Sequence, residues 1–225
     1  LDKAKLYIDK VKDEPFFLFY TLQQPHVPRT PHPRFVGSSG MGPRGDVIKE
    51  ADWCIGEIYN HLEKNNLLEN TLIIISSDNG PVLNDGYYDD AVEKIGDHTP
   101  FGILRGGKYS LFEAGTKVPF ITYWKNKIEP QVSNEMVSQI DYLNSISSLI
   151  GSKIRSTDGV DLSDVFFKNK GFGRDDLVIE ASRRTAYRSG DWVMIPPHKG
   201  PAIHYNVNIE LGNSVDYQLY NLKED

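Results

Sequence analysis

The stretch LIIISSDNGP, residues 72–81, guides the interpretation of the whole chain. Its apolar half contains three successive isoleucines, and β-branched side chains favour the extended backbone of a strand. Its second half changes to a carboxylate, a carboxamide, a glycine and a proline, residues that together end regular structure. The stretch therefore predicts a buried strand over residues 71–77 that delivers Asp78 and Asn79 to the edge of a sheet.

Apolar patterns on either side of this stretch predict further helices and strands. Residues 1–12 and 45–65 show the spacing of amphipathic helices, and the stripe of the second is the clearer one. Residues 16–22 (FFLFYTL) and 118–124 (VPFITYW) are short apolar runs that predict strands, and the first reads as buried on both faces. A helix that leads by a short connection into a strand is typical of a parallel sheet with crossover helices.

The region before Gly151 predicts another helix, which begins at Ser133 or Asn134 and ends at the glycine. Its apolar side chains are expected to face inward: Met136, Val137, Ile140, Leu143, Ile146 and Leu149. After about residue 159 the chain changes to short strand-like segments with turn residues between them, which predicts a small antiparallel sheet. We therefore predict an α/β domain over residues 1–158 and an antiparallel subdomain over residues 159–225.

Composition narrows the class of protein. The 225 residues are 39% hydrophobic and 25% charged, which is typical of a globular domain. The net charge of -6 argues against general nucleic-acid binding, and no apolar run approaches the ~18 residues that a membrane span needs. Cys54 is the single cysteine, so neither an internal disulfide nor a cysteine-based zinc site is expected.

Asp78 and Asn79 are the candidate metal ligands. Ligands of open α/β sheets bind beyond the carboxyl ends of the strands, where these two residues are predicted to lie. Their hard oxygen atoms suit Ca²⁺, with Mg²⁺ as the alternative. Asp-Asn-Gly is also a favoured turn sequence, so a plain turn remains the competing interpretation.

Three further residues are candidates for chemistry at the same edge. His26 lies just after the run at residues 16–22, where it could donate a proton or contact an anion. Lys108 follows the pair Gly106 and Gly107, and its ammonium suits an anionic oxygen. His98, in the polar loop over residues 87–107, is a candidate substrate contact, with an ordinary loop position as the alternative. No role is predicted for His204.

The order of these motifs resembles the type I sulfatase family, and arylsulfatases of the arylsulfatase A type in particular. The likeness runs from about residue 15 to the end of the chain and is most specific in SSDNG and in LRGGKYSLFEAGTKVPFI. It implies an alkaline-phosphatase-like α/β fold and hydrolysis of sulfate esters. It also implies Asp78 and Asn79 as ligands of Ca²⁺, His26 near the leaving oxygen, and Lys108 on a sulfate oxygen.

The sequence departs from that family in its nucleophile. The family makes formylglycine from a Cys/Ser-x-Pro-x-Arg motif, which the 225 residues lack, as they lack the family's early acidic metal pair. We therefore expect the C-terminal portion of a sulfatase, starting after the nucleophile segment. Such a chain is expected to be inactive alone, to bind Ca²⁺ weakly and to self-associate through exposed apolar surface.

The partner expected from the resemblance is a sulfated small molecule or a sulfated glycan. The family also implies a periplasmic or secreted parent protein, although no signal peptide occurs at the start of this sequence. Two other functions remain open: a phosphodiesterase or phosphatase of the same superfold, and a non-catalytic glycan-binding domain.

Overall fold

The computed structural model describes residues 1–168 and 170–225. The helices are α1 (Asp2–Val11), α2 (Gly42–Lys64), α3 (Glu113–Thr116), α4 (Tyr142–Leu149) and α5 (Ser163–Lys168), with 3₁₀ turns at Pro33–Phe35, Leu68–Asn70 and Gln139–Asp141. The strands are β1 (Ile73–Ser76), β2 (Phe120–Tyr123), β3 (Asp176–Ala181), β4 (Arg184–Ser189), β5 (Trp192–Ile195), β6 (Ile203–His204), β7 (Ile209–Glu210) and β8 (Gln218–Asn221).

The strands β1 and β2 lie between two helical layers. Ile73 packs with the cluster of Ile8, Leu62 and Leu68, which joins the strand to α1 and α2. Its neighbour Ile74 points to the other face and packs with a cluster built on Phe166 of α5. Successive strand residues thus serve opposite faces, as the two-residue repeat of a strand requires. The α/β class predicted from the sequence is confirmed.

The pairing of these strands corrects one expectation. β1 and β2 are antiparallel, with Ile73 opposite Tyr123 and Ser76 opposite Phe120. The loop-rich excursion over residues 77–119 leaves the end of β1 and returns to that same end, so β2 runs backwards beside β1. The parallel pairing was predicted from the order of α2 and β1. That order does not determine the direction of β2, because β2 follows a different connection, the one after β1.

Residues 16–22 are extended but do not form a strand of a sheet within the described residues. Their side chains alternate, because Phe16 and Leu18 pack on the α1–α2 cluster while Phe17 and Phe19 are 74% and 79% exposed. The expectation of a strand buried on both faces is therefore wrong for this structure. The continuous apolar run had suggested two covered faces, and only one face is covered here.

The helix before Gly151 begins later than predicted, and only part of its predicted apolar face is turned inward. Val137 and Ile146 pack with the cluster built on Phe166. The backbone N–H of Ser138 donates to the Asp141 carboxylate in a capping box, so the helical region starts there with a 3₁₀ turn. Asn144, Ser145 and Ser147 are buried, whereas Leu143 is 48% exposed. The polar face turns inward because its side chains bond to the following loop, as where the Leu162 N–H donates to Ser145 Oγ.

The C-terminal region forms the predicted small antiparallel sheet, in the strand order β3-β4-β5-β8. A separate hairpin, β6–β7, is inserted between β5 and β8. The four-stranded sheet packs Ala186, Val193 and Ile195 around Leu111 and Phe112 of the long loop. This contact fixes the loop that carries Lys108. The division of the chain at residue 158 stays a prediction.

Candidate active site

Gly80 sets the geometry at the carboxyl end of β1. Its N–H donates to the Gly115 carbonyl oxygen at 2.9 Å, and a Cβ atom at this position would collide with the Ala114 carbonyl. Only glycine therefore lets the chain after Asn79 pack directly on the backbone of α3. This close approach places the Asp-Asn pair and the loop that precedes α3 side by side.

A buried glycine brings Lys108 to the same place. Gly107 is buried against Pro81, Phe101 and Ile209, with no room for a side chain. The next residue, Lys108, donates its N–H to the Pro81 carbonyl oxygen at 2.8 Å. The backbone of Lys108 is thereby tied to the turn that follows Asn79.

The side chains of His26 and Lys108 meet at this edge. His26 Nδ1 lies 2.8 Å from the Val27 carbonyl oxygen, and because a carbonyl only accepts, Nδ1 carries a proton. The other ring nitrogen, Nε2, lies 3.5 Å from Lys108 Nζ. Nε2 is therefore the atom of His26 that faces the site.

Lys108 also has an acidic neighbour. Its Nζ lies 3.5 Å from Asp85 Oδ2, and both side chains are largely buried. Tyr109 completes the group, because its hydroxyl donates to Asp85 Oδ1 at 3.1 Å. The lysine charge is partly balanced in this state, so an incoming anion would compete with Asp85 for the ammonium.

A buried ion pair holds the His26 loop against the loop after β1. Arg29 Nη1 lies 3.0 Å from Asp89 Oδ2, and Arg29 Nη2 donates to the Val82 carbonyl oxygen at 2.7 Å. Arg44 is buried beside this pair, and burial together with the nearby Arg29 charge lowers the pKa of Arg44 to about 10. The two guanidinium groups surround the Val82 carbonyl and so fix the loop that leads to Asp85.

Asp78 and Asn79 present oxygen atoms at the strand end. The exposed Asp78 carboxylate accepts one hydrogen bond, from the Asn79 N–H at 3.0 Å. Asn79 Nδ2 donates to the Gly80 carbonyl at 2.8 Å, which leaves its side-chain oxygen for another ligand. Two hard oxygens fit part of a Ca²⁺ or Mg²⁺ shell. The described residues contain no group of three or more His, Cys, Asp or Glu able to hold a metal alone.

His98 is not tied to these residues. It lies half-buried in the loop before Phe101, and no hydrogen bond joins it to Lys108 or His26 within the described part of the chain. Its role as a substrate contact stays a prediction.

Comparison with known proteins identifies the family. A model of the sulfatase family matches residues 1–152. The chain belongs to the sulfatase family. It is 45% identical over its whole length to the N-acetylgalactosamine-6-O-sulfatase of Bacteroides thetaiotaomicron, of which it covers 45%. It is 33% identical to human arylsulfatase A over 68% of the chain, which covers 29% of that enzyme. This sulfatase chain thus spans less than half the length of these relatives.

Solved structures confirm the alkaline-phosphatase-like fold. A structure from Bacteroides thetaiotaomicron, described under the metabolism of multiple glycosaminoglycans, matches the sulfatase chain with a TM-score of 0.96 at 44% identity. The match covers the whole of the chain described here and 48% of the Bacteroides protein. The PsFucS1 sulfatase from a Pseudoalteromonas species matches with a TM-score of 0.80 at 27% identity, again over the whole chain and 46% of the relative.

Three residues that contact Lys108 directly or through one another were not predicted from the sequence. Asp85 and Tyr109 stood beside recognised motifs without a predicted role, and His204 was set aside. The His204 ring stacks on the Tyr109 ring with centroids 5.2 Å apart. No signal in the sequence pairs residues so far apart in the chain. The position of Tyr109 directly after Lys108 was the one local hint.

Proposed function

We propose that this chain supplies the sulfate-binding and leaving-group side of a glycan sulfatase. The observation that carries the proposal is the meeting of Lys108 and His26 beside the Asp-Asn turn at the end of β1. The identity of 45% to an N-acetylgalactosamine-6-O-sulfatase favours a 6-sulfated N-acetylhexosamine as the substrate.

Lys108 binds and stabilises the sulfate group in this proposal. Its ammonium is largely buried, so an electrostatic contact to a sulfate oxygen is weakly screened by water. Charge grows on the ester oxygen as the bond to sulfur breaks, and a fixed positive charge lowers the energy of that transition state. The approaching anion displaces Asp85 from the ammonium.

His26 donates a proton to the leaving alcohol in this proposal. The Val27 carbonyl holds the Nδ1 proton and so orients the ring with Nε2 towards Lys108. A protonated Nε2 donates to the bridging oxygen as the sugar alcohol departs.

Asp78 and Asn79 would hold a divalent cation, with Ca²⁺ favoured and Mg²⁺ as the alternative. When bound, the cation supplies positive charge that screens the incoming anion and lowers the pKa of a neighbouring nucleophile. The remaining ligands would come from outside the 225 residues, since Asp78 and Asn79 provide only part of a shell.

The nucleophile is also assigned to a segment outside this chain. The Cys/Ser-x-Pro-x-Arg motif from which sulfatases make formylglycine is not found in the sequence. We therefore expect the isolated chain to release no sulfate from an aryl sulfate. We place the parent protein in the periplasm or outside the cell, by family.

The test is sulfate release by the full-length gene product from 6-sulfated N-acetylgalactosamine, compared with 4-sulfated and 2-sulfated sugars and with an aryl phosphate. We expect the 6-sulfated sugar to be the best substrate, and chelation of Ca²⁺ or the change Asp78→Ala to lower kcat/KM about 100-fold or more. The exposed Asp52, on α2, gives the control Asp52→Ala, which should keep full activity. Phosphate release without sulfate release would favour the phosphatase alternative, and binding without turnover would favour a glycan-binding domain.

A further inference from the structure

An open pocket lies beside the candidate active site and has no function assigned so far. Its volume is about 890 Å³, and it is lined by Asp85, Gly86 and residues 203–208 of the β6–β7 hairpin. We call it the hairpin pocket. The loop that follows β1 forms one side of the pocket, and the β6–β7 hairpin forms the other side.

The hairpin is firmly anchored through Val207 in its turn and Ile209 in β7. Val207 and Ile209 are buried against Val82, with Phe101 and Tyr109 packed around them. Glu210 forms an ion pair with Arg105, and the hydrogen bonds from Arg105 lower the pKa of the Glu210 carboxyl. The exposed side chains at the tip are therefore presented from a fixed support.

A chain of contacts joins the pocket to Lys108. The His204 ring stacks on the Tyr109 ring at an interplanar angle of 28°. The Tyr109 hydroxyl donates to Asp85, whose carboxylate is the neighbour of the Lys108 ammonium. A substrate with its sulfate on Lys108 would thus have its organic part directed along Asp85 towards the hairpin.

The lining suits an uncharged, hydroxyl-rich ring. Tyr205 is 93% exposed and offers an aromatic face to the C–H face of a sugar. Asn206 and Asn208 carry amides that both donate and accept hydrogen bonds, as sugar hydroxyls require. His204 lines the pocket, and its Nδ1 is buried without a hydrogen-bond partner in the described residues. Asp85 would repel the carboxylate of a uronic acid.

We propose that the hairpin pocket binds the neutral sugar ring of the substrate and selects it against a uronic acid, with Tyr205 as the stacking platform and His204 as a hydrogen-bonding group. This inference rests on the proposed function, because it places the sulfate of the same ligand on Lys108. The hairpin is then the part of the chain that sets glycan specificity.

The test compares Tyr205→Ala with Tyr217→Ala in the full-length gene product. Both tyrosines are exposed, at 93% and 72%, and Tyr217 does not line the pocket, so neither change should disturb folding. We expect Tyr205→Ala to weaken binding of 6-sulfated N-acetylgalactosamine about tenfold by titration calorimetry, which corresponds to roughly 1.4 kcal/mol. Affinity for inorganic sulfate should be unchanged, and Tyr217→Ala should resemble the wild type on both ligands.

A second measurement tests sugar binding at the hairpin pocket in the unsubstituted protein. Backbone amides of residues 203–208 should shift in the NMR spectrum on addition of the unsulfated N-acetylgalactosamine and should not shift on addition of glucuronic acid. Unchanged sugar affinity in Tyr205→Ala, or the absence of these shifts, would overturn the inference. If Lys108→Ala still weakens sulfate binding in that case, the proposed function stands and only the hairpin assignment fails.

Discussion

At the scale of single residues, the site depends on positions where a glycine allows one backbone to touch another. The sequence predicted Asp78, Asn79, His26 and Lys108 because each stands next to a strand end or a glycine pair. It gave no sign of Asp85 or His204, because their contacts form only when distant segments meet. The sequence shows which reactive side chains stand next to a strand end or a glycine. It does not show which distant side chains will lie beside a charged group after folding.

Gly80 provides the prediction at this scale. A Cβ atom there collides with the Ala114 carbonyl, so Gly80→Ala must move either the turn after Asn79 or the loop that carries Lys108. We expect a loss of roughly 1 to 3 kcal/mol in the free energy of unfolding, measured in denaturant, together with weaker sulfate binding. The control is Gly56→Ala in α2, where a Cβ meets nothing and alanine should stabilise the helix by about 1 kcal/mol. Equal stability of the two variants would contradict the packing account.

At the scale of elements, the sequence predicted which segments are regular better than it predicted which face they bury. The helix α4 and the segment over residues 16–22 were assigned inward faces from their apolar pattern. The structure exposes Leu143 and Phe19 and buries Ser145. Only part of each predicted face, including Ile146 and Leu18, packs inward. A periodic pattern identifies the apolar face of a helix or strand. Burial of that face also requires another segment of the protein to pack on it, and the sequence of the helix or strand does not show which segment that is.

Asp46 near the start of α2 gives a prediction about pH. Although burial alone raises its pKa, hydrogen bonds from Ser39 and Gly37 to the charged carboxylate outweigh this and lower the pKa below 3.8. Its stabilising effect is therefore full well above pH 3.8 and is lost as the pH falls through the lowered value. We expect Asp46→Ala to cost about 1 to 3 kcal/mol near pH 7, by urea unfolding, and less near pH 3. Asp52→Ala, on the exposed face of the same helix, should cost little, and a cost for Asp46→Ala that does not change with pH would argue against the hydrogen-bonded carboxylate.

At the scale of the whole molecule, the combination of motifs identified the family although no single motif did so. The fold class followed from it, while the antiparallel direction of β2 did not, because a long loop leaves strand direction undetermined. No helix in the described residues is long and apolar enough to cross a membrane. The chain spans 45% of its N-acetylgalactosamine-6-O-sulfatase relative, and its surface carries several exposed large apolar side chains.

This open surface predicts self-association of the isolated chain through a second copy. Phe17, Phe19 and Ile150 are each more than 70% exposed, and no backbone hydrogen bond pairs residues 16–22 with another strand in the described residues. Extended segments with free edges and apolar faces tend to pair between molecules. Sedimentation velocity over a concentration series should show dimers or larger species, and Phe17→Lys with Phe19→Lys should shift the chain to monomer. The exposed loop residue Tyr88, changed to Lys, is the control, and a wild-type chain that stays monomeric throughout would count against the prediction.

The most direct test of the central claim is kcat/KM for 6-sulfated N-acetylgalactosamine in the full-length gene product carrying Lys108→Ala, beside the same change at Lys117. Lys117 lies on the same loop, is 60% exposed and pairs with Glu113 at the surface, so its loss should leave the rate near that of the wild type. We predict that Lys108→Ala lowers kcat/KM by about 100-fold to 1000-fold, because the buried ammonium stabilises charge on the sulfate in the transition state. A Lys108→Ala protein as active as the Lys117→Ala protein would show that the edge formed by β1, His26 and Lys108 is not where the sulfate ester is cleaved.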